Sequence, residues 1–549
     1  MSDDAWGEIP PFDETQPVSE EEVAPNALIG DASTWHRETA DRACDLIAAV
    51  PGVHLDREGA LILVEDRRQS TPKIRPIAAQ QVPDLLGRAD VVVYQRTAKG
   101  QTPCDPPGVL CQTVLSRRTE RAPWRIFDGF ASGPYLLPGG EVIQAQGYHA
   151  ERRLWLPHAG ACELRSTGKG ALKARGFGSQ DEAVAAARWV VSELREFPWA
   201  DPELDPAIWL GYVLTLITRP GYDTVPLFLF EASRPRSGKD LLLKLAEVLA
   251  HGRTAARVTL VENPDENEKR IGTALLDGHT TLIFGDVKQL GSPLLLSMIT
   301  EGSSVIIRAL GGNQRIPVPR TMTLGATANN VTLPLPDLVA RTIALRLDPS
   351  TEAPELTPHA KDQDELLAWY RDRRAPILAA LFNLLRAYQH REKDPETELK
   401  GLPCGTFPTW ARAVRDPLLW LGFPDLLASQ ARLKLQTPIG DGAASTALVS
   451  AWWSLFRDQP ITAGRLIQIA ATIEVTEERD DGSYGQRTDP DRAKLADALK
   501  EIDDRMNPKR LGKHLASLRD GIFALDQGRV KLIARTEHNQ QVYRLTPLV

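Results

Sequence analysis

Near the middle of the chain, the spacing of apolar residues predicts a strand, a loop and a helix in succession. Residues 225–230 form an apolar run that is typical of a buried strand. Residues 232–237 follow as a turn-forming segment with one proline. After Gly238 and Lys239, leucines and a valine recur at helical spacing until Gly252, a residue suited to end a helix. This order provides the context that a phosphate-binding loop requires.

In such a loop, backbone N–H groups and the positive end of the helix dipole hold phosphate oxygens. We predict that five residues bind a nucleotide: Arg236, Ser237, Gly238, Lys239 and Asp240. Lys239 is expected to reach the outer phosphates. The match to G-x-x-x-x-G-K-[ST] is incomplete, because Ser233 occupies the first glycine position and Asp240 replaces the hydroxyl that would bind magnesium. The alternative is an ordinary strand-to-helix turn with a solvated lysine.

Two later apolar stretches end in polar residues. Residues 282–284 predict a buried strand followed by Gly285 and Asp286, and residues 321–330 predict another that ends at Asn329 and Asn330. Ligand-binding groups in parallel sheets lie at the carboxyl ends of strands. We therefore expect Asp286 to serve a magnesium ion or the attacking water, and Asn329 or Asn330 to face the terminal phosphate. A plain turn aspartate is the alternative for Asp286.

Two later segments carry arginines that are candidates for binding anionic ligands. Residues 305–319 predict a hairpin that carries Arg308 and Arg315, which either touch a nucleic-acid backbone or belong to a plain sheet extension. Residues 337–348 carry Arg341 and Arg346. We predict that Arg341 reaches the nucleotide of a neighbouring subunit, as arginine fingers do. Arg346, flanked by strand residues, has a structural role as its alternative.

Five aromatic residues lie in a segment before the predicted phosphate-binding loop, where Gly-Pro turns indicate short hairpins. They are Trp124, Phe127, Tyr135, Tyr148 and Trp155. These rings either stack nucleic-acid bases or form a small hydrophobic core. No triplet of carboxylates and no metal-ligand spacing in this region indicates a polymerase or a primase.

Residues 508–519 predict a helix with leucines on one face and with Lys509, Arg510 and Lys513 elsewhere, followed by a hairpin over residues 530–545. Residues 505–549 contain nine Lys and Arg but three Asp and Glu, in a chain whose net charge is −7. Helices followed by a basic helix and a hairpin are the order of a winged helix. We predict that Lys509, Arg510 and Lys513 bind DNA; protein contacts are the alternative.

The length of 549 residues predicts several domains. We expect an acidic disordered tail over 1–30, an α+β accessory domain over 31–200, an ATPase core over 201–350, a helical region over 351–440 and a winged helix over 441–549.

The five cysteines are scattered without a C-x-x-C pair, which argues against structural zinc and disulfides. The first residues lack signal-peptide features, and no apolar run reaches the roughly 20 residues of a membrane span. We expect a cytoplasmic protein.

Several segments together resemble a known family. They are PPGVL at 106–110, QGYHAERRLWL at 146–156, REFPWAD at 195–201, PDENEKRIGTALLDG at 264–278, LGSPLL at 290–295, ATANNV at 326–331, DLVARTIALRLD at 337–348, GTFPTWARAVRDPLLWLG at 405–422 and NPKRLGKHLASLR at 507–519. In this order they are similar to phage and integrated-element replication proteins with a superfamily 3-like AAA+ helicase core. The resemblance implies an α/β, multidomain protein with an AAA+ P-loop ATPase core.

The resemblance also implies a homohexameric ring that couples hydrolysis of ATP, with Mg²⁺, to movement along single-stranded DNA in a bacterial host cell. Because no primase residues are found, we expect a separate primase. The family usually keeps an acid at the position of Gly285 and Ser or Thr at that of Asp240. We hypothesise that Asp240 supplies the carboxylate missing at Gly285, so that Asp240 and Asp286 hold the metal. The alternatives are a degenerate AAA+ scaffold that assembles on DNA without hydrolysis, and a motor acting on protein.

Overall fold

A computed structural model gives the structure of most of the chain. It describes residues 26–66, 72–117, 124–158, 160–165, 171–173, 178–261, 263–287, 293–301, 305–308, 315–317, 321–329, 331, 336–350, 360–392, 401–436, 442–478, 484–519, 522–525, 528–537 and 540–548. The predicted acidic tail lies, up to residue 25, outside the described residues. None of the helices in these ranges has both the length and the apolar composition needed to cross a bilayer.

Two small sheets and three helices share one hydrophobic core at the start of the described chain. In chain order the elements are β1 (Leu28–Gly30), α1 (Glu38–Ala49), β2 (Val53–Leu55), β3 (Leu61–Glu65), β4 (Lys73–Pro76), α2 (Val82–Arg88), β5 (Val93–Thr97), β6 (Gly100–Pro103) and α3 (Gly108–Ser116). One sheet has the order β1-β5-β6 and the other β2-β3-β4. The sequence over residues 39–50 and 106–117 predicts two helices, and these correspond to α1 and α3.

The aromatic segment forms short strands, as its Gly-Pro turns predict. These are β7 (Gly129–Phe130), β8 (Tyr135–Leu136), β9 (Val142–Ile143), β10 (Gly147–His149) and β11 (Leu154–Leu156). Of its aromatic residues, Phe127 and Tyr135 are buried, whereas Trp124, Tyr148 and Trp155 are partly exposed. The core interpretation is therefore correct for Phe127 and Tyr135, and Trp124 and Trp155 also pack against the edges of two hydrophobic cores.

The centre of the chain forms a five-stranded parallel sheet with helices around it. Its elements are α4 (Gln180–Val191), α5 (Leu204–Thr218), β12 (Leu227–Ala232), α6 (Lys239–His251), β13 (Ala256–Val258), α7 (Pro264–Leu276), β14 (Thr281–Phe284), α8 (Pro293–Thr300), β15 (Ile306–Arg308), β16 (Arg315–Pro317), β17 (Thr323–Asn329), α9 (Pro336–Val339) and β18 (Thr342–Leu347). The sheet order is β13-β14-β17-β12-β18. This mixed α/β arrangement is consistent with a P-loop-like core.

The position of β12 in the sheet decides where a ligand can bind. All six residues of β12 are buried, which explains the unbroken apolar run, because both faces of a parallel strand are covered. Its last residue, Ala232, pairs with Asn329 on one side and Leu347 on the other. Strand order reverses beside β12, and ligands in such sheets bind at this crevice, beyond the carboxyl ends of the strands.

Helices dominate the remaining chain until a final antiparallel sheet. The elements are α10 (Gln363–Asp372), α11 (Arg374–Gln389), α12 (Pro408–Trp410), α13 (Asp416–Trp420), α14 (Ala428–Gln436), α15 (Gly442–Phe456), α16 (Ala463–Ala470), β19 (Glu474–Glu478), β20 (Tyr484–Thr488), α17 (Pro490–Ile502), α18 (Pro508–Ser517), β21 (Ile522–Leu525), β22 (Gly528–Glu537) and β23 (Gln540–Leu548). The polar residues 477–489 predict a loop between two helices, and this prediction is partly wrong because β19 and β20 pair there. That hairpin carries few apolar residues, so hydrophobic spacing gives no signal for it.

A buried histidine in β2 predicts how stability depends on pH. The His54 ring is 1% exposed, with its centroid 4.7 Å from that of Tyr148, and burial lowers its pKa from 6.5 to about 4. Between pH 4 and 6.5, His54 is therefore protonated in the unfolded chain but neutral in the folded protein. The stabilising contribution is complete above pH 6.5 and is lost as the pH falls towards 4. We expect His54→Phe to reduce this acid-induced loss of unfolding free energy by up to about 3 kcal/mol.

Urea denaturation of parent and His54→Phe proteins at a series of pH values between 6.5 and 4 measures this difference. His36→Phe, at an exposed position, is the matched control and should keep the parental pH dependence. A parental pH dependence in His54→Phe would show that His54 does not titrate on unfolding as described.

Candidate nucleotide-binding site

The loop between β12 and α6 is tied to the neighbouring strand β18. The backbone N–H of Ser233 donates to the Leu347 carbonyl at 3.0 Å, and the Ser233 hydroxyl donates to Oδ1 of Asp348 at 2.6 Å. A glycine at position 233 could not make the second bond. The departure from the loop motif at this position therefore has a structural role, which is to fix the start of the loop.

The end of the loop needs a glycine for two reasons. Gly238 is the N-cap of α6 with a φ of 90°, a left-handed conformation that side chains disfavour. In addition, a β-carbon at Gly238 would lie 2.8 Å from Cε1 of Phe197. Arg236, two residues earlier, also has a positive φ, of 58°. The backbone is thus bent sharply just before the first turn of α6, as close approach to a ligand requires.

We expect Gly238→Ala to lower the free energy of unfolding by about 1–3 kcal/mol, because the new side chain meets both an unfavourable backbone conformation and the Phe197 ring. Urea denaturation measures the change. Gly87→Ala in α2 is the matched control, since a β-carbon there meets no atom within 4 Å. That control should be neutral or stabilising by up to about 1 kcal/mol. A Gly238→Ala protein as stable as the parent would contradict the described contact.

Lys239 brings the predicted site residues together. Its side chain is 5% exposed, and its Nζ lies 3.2 Å from Oδ1 of Asp286 and 3.3 Å from Oδ1 of Asn329. Oδ2 of Asp240 is 4.0 Å from the same Nζ. Three separate elements, β14, β17 and α6, therefore contribute to one cluster. The prediction that these strand ends meet at the lysine agrees with this geometry, while the chemical roles of the residues stay predictions.

Asp286 is held in place by a residue that the sequence analysis missed. The backbone N–H of Asp286 donates to Oγ1 of Thr327 at 3.0 Å, and the N–H of Val287 donates to the Thr327 carbonyl at 2.9 Å. These bonds support the positive φ of 46° at Asp286. Thr327 is completely buried in β17. The sequence feature that could have identified Thr327 is a threonine within an otherwise mostly apolar strand.

The two predicted metal ligands are accessible. The side chains of Asp240 and Asp286 are 48% and 73% exposed, and both carboxylates lie near the same ammonium. Magnesium prefers carboxylate oxygens together with phosphate oxygens and water, and it usually takes one or two protein carboxylates. This donor set suits Mg²⁺ bound with a nucleotide. Within the described ranges, no group of three or more metal-ligating side chains occurs.

A cleft of about 810 Å³ opens beside the loop. All five predicted nucleotide-binding residues line it: Arg236, Ser237, Gly238, Lys239 and Asp240. Phe197, Pro198, Pro349 and Leu366 also line it, and the sequence analysis did not assign them to the site. The volume is in the range of pockets for small molecules and cofactors. Apolar side chains together with a cation and backbone N–H groups suit a nucleotide base and its phosphates.

The walls of the cleft are joined by polar contacts. Nζ of Lys361 lies 2.6 Å from Oε2 of Glu193, and the backbone N–H of Ala360 donates to Oε2 of Glu196 at 2.9 Å. These contacts link the segment before α10 to the residues that follow α4. The cleft is therefore built from segments about 170 residues apart in the chain, as the 168-residue separation of Lys361 and Glu193 shows.

The far end of α6 is also anchored. Arg374, 9% exposed, donates to the carbonyls of Leu249 at 3.0 Å and Ala250 at 3.0 Å, and to that of Gly160 at 2.9 Å. A cation at a helix C-terminus is favoured by the helix dipole. Burial lowers the pKa of the Arg374 guanidinium. Both ends of the helix that begins at Lys239 are thus fixed.

Arg341 does not belong to this cluster within one chain. Its carbonyl accepts from the N–H of Leu227, the first residue of β12, whereas Lys239 follows the last one. Six strand residues span about 20 Å. Nη2 of Arg341 lies 2.9 Å from Oδ1 of Asp337. A role for Arg341 at the nucleotide of a neighbouring subunit stays a prediction.

Arg346 has the structural role that was its alternative. Its Nη1 lies 3.1 Å from Oε2 of Glu231, the residue paired with it across β12 and β18. Glu231 is 4% exposed at its side chain, and burial raises the pKa of its carboxyl while Arg346 opposes that shift. The pair neutralises a charge inside the sheet.

The predicted DNA-binding residues lie on two elements. β15 and β16 form a hairpin, as the sequence predicts, and Arg308 and Arg315 are paired directly across it. Asn330, which was predicted together with Asn329 to face the terminal phosphate, lies outside the described residues. On α18, Leu511 and Leu515 are buried, while Lys509, Arg510 and Lys513 are exposed.

Among the α18 cations, Arg510 is paired with Asp503, with Nη1 2.7 Å from Oδ2. The antiparallel sheet β21-β22-β23 follows the helix. The exposed basic face agrees with the sequence pattern. DNA binding by this face stays a prediction.

Comparison with known proteins gives weak similarities. No model of a protein family matches the chain, and no curated protein matches it. The chain is similar to the apo A-form structure of the NrS-1 C-terminal region, with a TM-score of 0.37, 9% identity, and coverage of 90% of this chain and 97% of that chain. It is also similar to an inhibitor-bound X-ray structure of JCV helicase, with a TM-score of 0.21, 16% identity, and coverage of 48% and 68%. Neither TM-score is high enough to establish a shared fold.

Proposed function

We propose that the protein is an ATP-dependent DNA helicase or replication-initiator motor of a phage or mobile genetic element. The observation that carries this proposal is the convergence of Lys239, Asp286 and Asn329 at the carboxyl edge of the parallel sheet, beside a cleft of nucleotide size. A buried ammonium with a carboxylate and an amide within 3.3 Å is an arrangement suited to a nucleoside triphosphate.

Each residue has a distinct proposed task. Lys239 neutralises charge on the outer phosphates, and the N–H groups at the start of α6 bind phosphate oxygens. Asp286 and Asn329 orient the attacking water. Asp240 and Asp286 would hold Mg²⁺, which supplies charge neutralisation at the phosphates when it is bound. Phe197 and Leu366 would contact the base and exclude water from one side of it.

Action on DNA is the second part of the proposal. The exposed Lys509, Arg510 and Lys513 on α18 would bind the DNA backbone or enter its major groove, and Arg308 and Arg315 would contact a translocated single strand. A homohexameric ring would let Arg341 reach the nucleotide of the next subunit. A separate primase would supply primers, and the bacterial cytoplasm would be the site of action.

The deciding experiment measures the rate of ATP hydrolysis with and without single-stranded DNA, with native mass as a readout of ring assembly. Magnesium-dependent hydrolysis that single-stranded DNA stimulates supports a DNA motor, and strand displacement on a forked duplex supports a helicase. Binding of DNA with no hydrolysis under any condition would rule out the motor.

A catalytically degenerate DNA-binding scaffold is the second candidate. It is favoured by Asp240 at the position of the usual hydroxyl and by Gly285 at that of the usual acid. The ion pair between Lys239 and Asp286 also occupies the ammonium that phosphates would need. The scaffold predicts normal assembly on DNA by a Lys239 variant, whereas the motor predicts a loss of every ATP-dependent activity.

A further inference from the structure

A second recess lies in the accessory region, away from the residues of the nucleotide cluster. It has a volume of about 540 Å³ and is lined by six residues: Trp124, Arg125, Ile126, Tyr148, Ala150 and Arg153. We call it the Tyr148 recess. Two aromatic side chains and two arginines therefore border one surface opening, a composition typical of sites that bind single-stranded nucleic acid.

The structure separates the aromatic residues that can stack on a ligand from those that cannot. Phe127 and Tyr135 are 5% and 1% exposed and belong to hydrophobic cores. Trp155 is partly exposed but its Nε1 donates to Oδ2 of Asp66 at 3.0 Å, and it does not line the recess. Only Trp124 and Tyr148, of the five aromatics named from the sequence, line the recess.

Tyr148 is a rigid platform. Its hydroxyl donates to the Ile126 carbonyl at 2.8 Å, and the buried His54 ring packs against it with a centroid distance of 4.7 Å. The segment that carries Arg125 is also fixed, because the Arg125 carbonyl accepts from the N–H of Leu55 at 3.0 Å. A ligand ring that stacks on Tyr148 would therefore not have to order a mobile side chain first.

Charge in the recess is positive. Cζ of Arg125 lies 5.9 Å from the Tyr148 ring centroid, and Arg153 also lines the opening. In the described part of the chain, neither guanidinium makes a hydrogen bond or an ion pair. The nearby carboxylate of Asp128 is instead engaged by Nε of Arg57 at 3.0 Å. Two cations beside a partly exposed aromatic face suit a ligand that combines a flat ring with phosphates.

We propose that the Tyr148 recess binds one nucleotide unit of a single-stranded nucleic acid, with a base on Tyr148 and Trp124 and the flanking phosphates on Arg125 and Arg153. A single strand is favoured over a duplex because its bases are free to stack. It is favoured over a peptide because two guanidinium groups beside an aromatic ring suit a ligand that carries phosphates as well as bases. The recess needs no ATP hydrolysis, so it goes beyond the motor proposal and can fail or hold independently of it.

Fluorescence anisotropy with a fluorescein-labelled oligothymidylate, without nucleotide, tests the recess in the full chain. We expect Tyr148→Leu to weaken binding at least about fivefold, since stacking on one aromatic ring has this effect or more. Arg125→Gln with Arg153→Gln should weaken binding and reduce the slope of log Kd against log salt by about 1.4, or about 0.7 for each lost phosphate contact.

Two controls isolate the recess. Tyr148→Phe keeps the ring but loses the bond to Ile126, so it should bind more tightly than Tyr148→Leu. Arg96→Gln removes an exposed arginine from β5 that does not line the recess, and it should bind as the parent does. All variants are also made with Lys509→Gln and Lys513→Gln, so that binding through α18 cannot mask the effect. If Tyr148→Leu fails to fold, the arginine variants still test whether the recess binds the oligonucleotide.

Photo-crosslinking identifies the contact directly. An oligonucleotide containing 4-thiothymidine should crosslink to peptides that contain Trp124 or Tyr148, and the arginine variants should lose these adducts. Unchanged affinity in both variant series, or crosslinks confined to other peptides, would overturn the proposal and leave a protein partner as the occupant to be sought. ATP hydrolysis without DNA should be parental in every recess variant, so a loss of hydrolysis cannot be mistaken for this result.

Discussion

Lys239→Met is expected to reduce magnesium-dependent ATP hydrolysis by at least about 100-fold, the effect of removing one preorganised charge from a transition state. Methionine keeps the length and apolar stem of the side chain but removes the ammonium. Asp286, Asn329 and Asp240 all lie within 4.0 Å of Nζ of Lys239, so its loss removes the phosphate partner and also the positive charge beside both acids. Steady-state phosphate release measures the rate.

The fold should survive this change. Asp286 is 73% exposed, so water can hydrate its carboxylate after the ion pair is lost, and methionine fills the space of the lysine stem. Urea denaturation should give a stability close to that of the parent. Lys500→Met, at an exposed position of α17, is the control for a lost lysine and should hydrolyse ATP at the parental rate.

A Lys239→Met protein that folds and hydrolyses ATP at the parental rate would contradict the assignment of the site. The same result would also remove the main support for the motor, because no other lysine lies at the first turn of α6. Equal losses in Lys239→Met and Lys500→Met would indicate a non-specific effect of the lysine substitutions.

The sequence predicts the centre of this site well, for a physical reason. Parallel strands are buried on both faces, so their apolar runs are easy to recognise, and the polar residues directly after them meet at one edge of the sheet. That rule places Asp286 and Asn329 near Lys239, and the distances of 3.2 and 3.3 Å agree with it. The rule can be applied from the sequence alone, because it uses only the apolar runs and the polar residues that directly follow them.

The rest of the site depends on contacts between distant segments. Phe197 reaches Gly238 only because residues 197–200 run beside β18, where Trp199 bridges Leu347. No local pattern around Phe197 indicates that neighbour. Leu366 lines the cleft from α10, and the ion pair between Lys361 and Glu193 joins the two distant segments there, a contact that periodicity cannot reveal.

Other features were missed or left open because of their composition or location. The β19-β20 hairpin lacks the apolar alternation by which strands are recognised. The role of Arg341 depends on a second subunit, and a single chain shows only its pair with Asp337.

The altered magnesium ligands lead to the second large expected effect. If Asp240 supplies a carboxylate in place of one lost at Gly285, Asp240→Ser should reduce hydrolysis by at least about 100-fold although it restores the residue of the usual motif. Adding Gly285→Asp should recover part of that activity. The structure permits this second change, because a β-carbon at Gly285 meets no atom within 4 Å and the residue is not left-handed.

A binding measurement distinguishes an effect of the substitution on Mg²⁺ binding from an effect on the hydrolysis step. Calorimetric titration with a non-hydrolysable ATP analogue, with and without Mg²⁺, gives the metal-dependent part of the affinity. We expect Asp240→Ser to reduce that part at least about tenfold and the double variant to restore some of it, since each changes the number of oxygen ligands. Affinity without Mg²⁺ should rise or stay equal, because a negative charge near the phosphates is removed.

Gly285→Asp alone completes the cycle. With Asp240 present, it places a third carboxylate near the ammonium of Lys239, and we expect hydrolysis no faster than in the parent. Parental activity of Asp240→Ser would show that a hydroxyl suffices and that the carboxylate has not been relocated. Loss of activity in Asp240→Ser without recovery in the double variant would instead assign Asp240 a task that an acid after β14 cannot perform, such as orienting Lys239 across the 4.0 Å that separates them.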